Sequence, residues 1–244
     1  MADKSQVPPV SPVYGAAAQG EIVTIFIGPE KKRYNIHKDI ICHHSEYFRT
    51  AFNGRWKESD EGVTLEDVEV EVFNIFVHWL YAQSLPVKSR DFAHIARDKG
   101  DKGDEGYNEV EHEYGLGLLK ACVFGNRFLA PAFERTTHNQ YIDHLAKCDS
   151  GVRYDQIIFA WDNFKEDSEI LTVMVDNQCL RWEVGADDAE EQGLRAELPQ
   201  DFLIRVMLRF AAFRDSMYRT YKHWIYPLEA EAFYMEEKTE EATE

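Results

Sequence analysis

The sequence predicts an α+β module, a small β-sheet capping a helical cluster, followed by an all-helical C-terminal extension. Three observations lead there. Two extended runs near the start, Ile22–Ile27 and Arg33–Ile36, flank the turn-forming Gly28-Pro29-Glu30-Lys31-Lys32 and have the make-up of a hairpin. From His37 onward the apolar residues recur at helical spacing. Beyond residue 150 every apolar run keeps that helical period.

Taken in order, residues 1–20 carry Pro8, Pro9 and Pro12 among small and polar residues, and are expected to form a disordered tail. The hairpin follows. Ile40 and Ile41, then Tyr47, Phe48, Ala51 and Phe52 mark two short helices, with Ser45 placed to cap the second. Val63, Leu65 and Val68 alternate as a third short strand. Val72, Phe73, Phe76, Val77 and Leu80 then form an i, i+3, i+4, i+7 stripe, with Trp79 and Tyr81 at its C-terminal end. That helix is expected to cover the sheet.

The stretch from Val87 to His112 is dominated by charge and by three glycine triplets starting at Asp98, Asp101 and Asp104, and reads as a solvated loop inserted over residues 82–112. A calcium loop does not fit, because the frame from Asp101 puts Gly103 at the third position and His112 where a bidentate glutamate belongs. Leu118, Ala121, Cys122, Gly125 and Leu129, closed by Pro131, give one helix, and Phe133, Thr137, Gln140, Tyr141 and Leu145 give its partner. Three amphipathic runs follow. They are Tyr154, Ile157, Ile158 and Trp161; Leu171, Met174 and Val175; and Leu203, Val206, Met207, Phe210, Phe213 and Met217. The last is expected to pack through Met207 and Phe210, with Arg205 and Arg209 on its solvated face and paired to nearby acids. Gly185–Glu191 reads as an acidic loop, and residues 229–244, seven glutamates with one lysine, as an acidic tail.

Composition narrows the function. With 44% hydrophobic residues in 244, the chain can bury a core. A net charge of -17 repels a phosphate backbone, so no nucleic acid is expected as partner. The longest apolar run, Ile157–Trp161, is far short of the ~20 residues a membrane span needs, so no membrane is expected either. The N-terminus lacks the apolar core of a secretory signal and no Asn-x-Ser/Thr acceptor occurs. Cys42, Cys122, Cys148 and Cys179 are widely spaced and read as reduced thiols of a cytoplasmic or nuclear protein.

Reactive constellations are sparse. Cys42-His43-His44 are successive helical residues that point about 100° apart and cannot all face one ion. His138 and His144 fall on different helix faces, and no His-Glu-x-x-His, Gly-x-Ser-x-Gly or Gly-x-x-x-x-Gly-Lys pattern occurs. The cysteines sit in apolar or helical contexts that suit inert thiols. The expectation is no catalytic residue, no metal and no cofactor, with a hydrolase bearing an unrecognised site as a remote alternative.

Specific residues then carry a resemblance. Val23-Thr24-Ile25-Phe26-Ile27-Gly28, Tyr34-Asn35-Ile36-His37-Lys38, Ser45-Glu46-Tyr47-Phe48, Trp56-Lys57-Glu58-Ser59, Val63-Thr64-Leu65-Glu66-Asp67-Val68, and Phe73 with Trp79-Leu80-Tyr81 stand in the order and at the distances of the BTB/POZ family pattern. The chain resembles a BTB domain of the kind abundant in fungi, from residue 20 to 81 and more weakly to about 147. Past 150 nothing resembles a known family. The resemblance implies a BTB/POZ domain over 21–147 and a helical region over 151–228. It makes His37, Lys38, Ser45, Tyr47, Phe48 and Tyr81 structural motif residues, with Tyr47 and Phe48 as buried anchors.

The same resemblance implies binding without catalysis. BTB domains pair with themselves, as a homodimer, or with another BTB protein. In members that are substrate adaptors of cullin-type ubiquitin ligases, a hydrophobic-x-Glu element docks on the cullin, and Trp56-Lys57-Glu58 matches it. Trp56 and Glu58 are thus the partner-binding candidates; the bland reading is that Trp56 folds back on the core. An adaptor also recruits a substrate, and with no 20–50-residue repeat in the chain only 151–228 is left for that. The alternative is a regulatory or assembly scaffold unrelated to ubiquitin.

Overall fold

The computed structural model describes residues 14–17, 19–53, 62–97, 107–183, 185–219 and 235. They fall into two compact units, one of residues 1–103 with 124–134, the other of 104–123 with 135–244.

The first unit begins with a short helix, α1 (Tyr14–Ala17), where the sequence suggested a tail. Ala17 is buried and its carbonyl accepts from Gly20 N, so the last residues of that stretch are ordered by an apolar contact and a turn. Residues 1–13 lie outside the described residues. The hairpin is as expected: β1 (Ile22–Ile27) pairs antiparallel with β2 (Lys32–His37), from Ile22↔His37 to Ile27↔Lys32. Gly28 at φ 72° and Lys31 at φ 54° make the turn. β3 (Val63–Leu65) joins the other side of β1 in parallel, giving the order β2-β1-β3. Gly62 enters β3 at φ 90°, and a Cβ there would lie 2.8 Å from the Thr24 carbonyl oxygen, so backbone meets backbone at a point that tolerates only glycine.

Between β2 and β3 lie α2 (Lys38–His44) and α3 (Glu46–Ala51), the anticipated helical pair. After β3 comes α4 (Val70–Ala82), which buries Val72, Phe73, Ile75, Phe76, Trp79 and Leu80, a wider face than the stripe alone because Ile75 and Trp79 are buried as well. The sheet meets it at Tyr34 of β2, whose ring stands edge-on to Phe73 at 4.8 Å and whose hydroxyl donates to Asn74 Oδ1 at 2.6 Å. Asn74 Nδ2 then donates to the Ala96 carbonyl at 2.7 Å, the last residue of α5 (Ser89–Ala96). That helix corrects the loop expected over 82–112. Ser89, Phe92 and Ala93 are buried, so a narrow inward face carries a segment whose overall composition is charged.

The described elements of the second unit are all helices. α6 (Tyr107–Arg127) and α7 (Pro131–Lys147) contribute to both units, so the domain boundary expected at 147 does not coincide with the division between them. α8 (Tyr154–Asn163), α9 (Glu169–Arg181), α10 (Ala189–Leu194), a 3-10 turn (Arg195–Glu197) and α11 (Gln200–Arg219) follow. α9 is the centre of this unit, buried at Ile170, Leu171 and at every residue from Val173 to Gln178. Of its buried polar residues, Asn177 donates through Nδ2 to the Leu145 carbonyl at 3.1 Å and Asp176 accepts from Arg209 at 2.6 Å, whereas Asn177 Oδ1 and Gln178 Oε1 are buried without a hydrogen-bond partner among the described residues.

Candidate functional site

The motif residues of the first unit act on their own chain. At the β2–α2 junction the backbone N–H of His37 donates to the Tyr81 hydroxyl at 3.3 Å, and His37 Nδ1 lies 3.0 Å from the same oxygen. One phenol thus serves an amide and an imidazole and holds the end of the sheet to the end of α4. Lys38 pairs with Glu21 at 2.8 Å, a hydrogen bond that raises the ammonium above its ordinary pKa.

Ser45 is buried and has two jobs. Its Oγ accepts from Phe48 N at 3.2 Å, the cap that starts α3, and donates to the Phe128 carbonyl at 2.6 Å, just past α6. Glu46 N donates to the Leu129 carbonyl at 3.1 Å. Leu129 holds φ 52°, a costly conformation for a branched residue, and is exposed. Phe48 is fully buried and stacks on Phe128 at 5.8 Å and on Phe76 at 6.3 Å. Tyr47 departs from the expectation of a buried anchor. It is 36% exposed and stands edge-on to Phe48 and Phe128, because the first turn of α3 turns Phe48 inward and leaves its neighbour on the rim. Tyr47 and Leu129 are apolar surface beside the Ser45 clasp. Trp56 and Glu58, the docking candidates, lie outside the described residues. Leu129, expected on the apolar face of the helix closed by Pro131, lies instead past its end and takes part through its backbone, while Asn74 gives no signal in the sequence because an amide in an apolar stripe has no periodic mark.

Burial works against ionisation of the cysteines and histidines singled out in the sequence. Cys42 Sγ faces the Phe48 carbonyl and burial pushes its thiol up to about 11, while His44, pushed down to about 4 by burial, lies against Trp79 and Gln83. The two side chains diverge as helical geometry requires. In the second unit Cys148 Sγ lies 3.8 Å from His144 Nε2, and His144 Nδ1 lies 3.8 Å from Glu111. That order resembles a nucleophile, its base and an orienting acid. Burial, however, raises the Cys148 thiol and lowers His144, so both are kept neutral and the thiolate a nucleophile needs is disfavoured. Among the described residues no group of three or more His, Cys, Asp or Glu gathers to hold a metal.

The second unit's strongest polar cluster surrounds Asp187, whose side chain is 2% exposed. Tyr154 Oη and Trp182 Nε1 donate to it at 2.8 Å each, and Arg195 reaches one oxygen through Nε and a terminal nitrogen at 2.8 and 2.6 Å. Burial alone would raise this carboxyl; the donors outweigh it and hold the pKa below the ordinary value. The stretch read as an acidic loop is therefore pinned at its centre. Asp187 is fully partnered, which marks it as a clamp and leaves nothing for a ligand.

On α11, Arg205 pairs with Asp201 at 2.6 Å and Glu166 at 3.7 Å, and Arg209 with Asp176, as the sequence suggested for this basic flank. The packing face differs from the one expected. Phe202 is buried, edge-on to Trp161 at 5.2 Å, whereas Met207 and Phe210 are exposed. The helix has apolar residues on two sides, and periodicity could not say which side meets α9.

Residues 16–98 match the family model described as BTB/POZ domain. Over 68 residues, 28% of this chain, the sequence is 34% identical to the Arabidopsis thaliana protein named BTB/POZ and MATH domain-containing protein 6. The match spans 16% of that relative's length.

Proposed function

We propose that this chain, whose residues 16–98 are a BTB/POZ domain, is a non-catalytic interaction protein that pairs with itself or with another BTB protein, and that it serves as substrate adaptor of a cullin-type ubiquitin ligase. The family match carries the interaction reading. It is supported by the way His37, Lys38, Ser45, Phe48 and Tyr81 are taken up by the scaffold, and by the exposed side chain of Leu129 beside them. The docking reading rests on Trp56-Lys57-Glu58, a large apolar side chain two residues from a carboxylate, which is the make-up of an oriented anchor. The four free cysteines accord with a cytoplasmic or nuclear setting, and no helix among the described residues is long and apolar enough to cross a membrane.

The test is binding of the purified full chain to a cullin N-terminal region. Trp56→Ala with Glu58→Ala is expected to weaken binding at least about tenfold, the scale of an interface anchor. Equal binding by wild type and variant removes the docking assignment, and no binding by either leaves the scaffold role without a cullin.

A further inference from the structure

α11 is seated on the rest of its unit by one side only. Phe202 points in, while Leu203, Ile204, Met207, Leu208 and Phe210 are 42% to 64% exposed. On a helix these five fall in adjacent rows, 203–207–210 and 204–208, with the small Ala211 beside them, so they form one continuous apolar stripe with grooves that a second helix can enter. We propose that this stripe is a self-association surface, and that its occupant is α11 of a second copy of this chain. The inference is independent of the reading of residues 16–98.

Area and charge select that occupant. With ~200 Å² for a fully exposed large apolar side chain, the stripe offers about 500 Å², near the upper end of what monomers expose. Placed against its own copy, it buries about 1,000 Å² in total, the size at which a specific contact becomes sustainable. A partner recognised by charge would need free ions on this face. Among the side chains described on this helix, the two arginines are engaged within the chain, Arg205 with Asp201 and Glu166, Arg209 with Asp176. Two copies at net charge -17 repel at a distance, so the surface on which they can meet must itself be neutral and apolar. The stripe from Leu203 to Phe210 has that character.

The test reads this helix alone. Met207 lies near the middle of the stripe, so in an isologous pair its two copies approach each other. Full-length protein carrying Met207→Cys is oxidised mildly, with Asp162→Cys, an exposed position of α8, as reference. The expected result is a covalent dimer of twice 28.4 kDa forming at least tenfold faster for Met207→Cys than for the reference. Adding Ile204→Glu and Leu208→Glu should remove that advantage while the helical circular dichroism is unchanged, since both positions are exposed. Raising salt should speed the cross-link by screening the repulsion between chains. A rate no greater than the reference, or one indifferent to the two glutamates, overturns the proposal, whether or not the BTB domain pairs by itself.

Discussion

Replacing Ser45 by alanine tests the clasp between α3 and the end of α6. The substitution removes one acceptor and one donor from a site only 1% exposed. Loss of the cap to Phe48 N costs about 1 kcal/mol. The Phe128 carbonyl, which now accepts Oγ at 2.6 Å, loses that partner in a buried place, worth about 1–3 kcal/mol more. The expected loss is about 2–4 kcal/mol, large for a helix of six residues that cannot stand by its own propensity. Because the chain has two units, a single melting temperature would blur the effect, and the assay is hydrogen exchange of peptides spanning 46–52 and 124–130. At 1.4 kcal/mol per decade, exchange should accelerate roughly 30- to 1,000-fold in those peptides. Ser84→Ala, which removes an exposed hydroxyl, serves as control and should stay within about 0.5 kcal/mol of wild type. A change below about threefold at 46–52 would refute the reasoning, since it would mean that neither hydrogen bond supports the native helix.

Asp187 gives a pH prediction: its folded pKa is held below the unfolded one, so its contribution is complete above about pH 4 and is lost as pH falls below that value. Asp187→Asn should flatten the acid limb of the second unit's stability and cost about 2–4 kcal/mol at pH 7, measured by urea unfolding followed through Trp161 and Trp182; an unchanged acid limb contradicts the clamp. Cys42 and Cys179, both pushed up to about 11 by burial, should react with iodoacetamide at pH 7.5 at least about tenfold more slowly than a free thiol, with rates still climbing above pH 9; fast labelling of the folded chain would refute their burial.

Much of the first unit was legible because its signals are local. The hairpin follows from β-branched runs on either side of a glycine turn, and the Ser45 cap from a hydroxyl placed just before an apolar pair. α5 was hidden because its inward residues, Ser89, Phe92 and Ala93, include one polar and one small side chain among charges, so average composition outvoted its face. The same happened at Asp187, where burial depends on donors 5 to 33 residues away that no window can see. On α11 the period was right and the side was wrong, because a helix apolar on two faces does not declare which one its neighbour will choose. The motif residues were recognisable as a set, yet their roles were not: that Tyr81 answers to His37 across 44 positions is a fact of the fold.

The parallel seam between β1 and β3 has a consequence for how the chain comes into being. Ile22 to His37 can zip into a hairpin as soon as they leave the ribosome, but Ile25, Phe26 and Ile27 must wait some 40 residues for Val63, Thr64 and Leu65 to cover their other flank. Throughout that interval three greasy residues present bare amides and carbonyls, an invitation to any neighbouring nascent strand. A truncated product that stops short of Leu65 keeps the invitation open for good, and its fate is to clump.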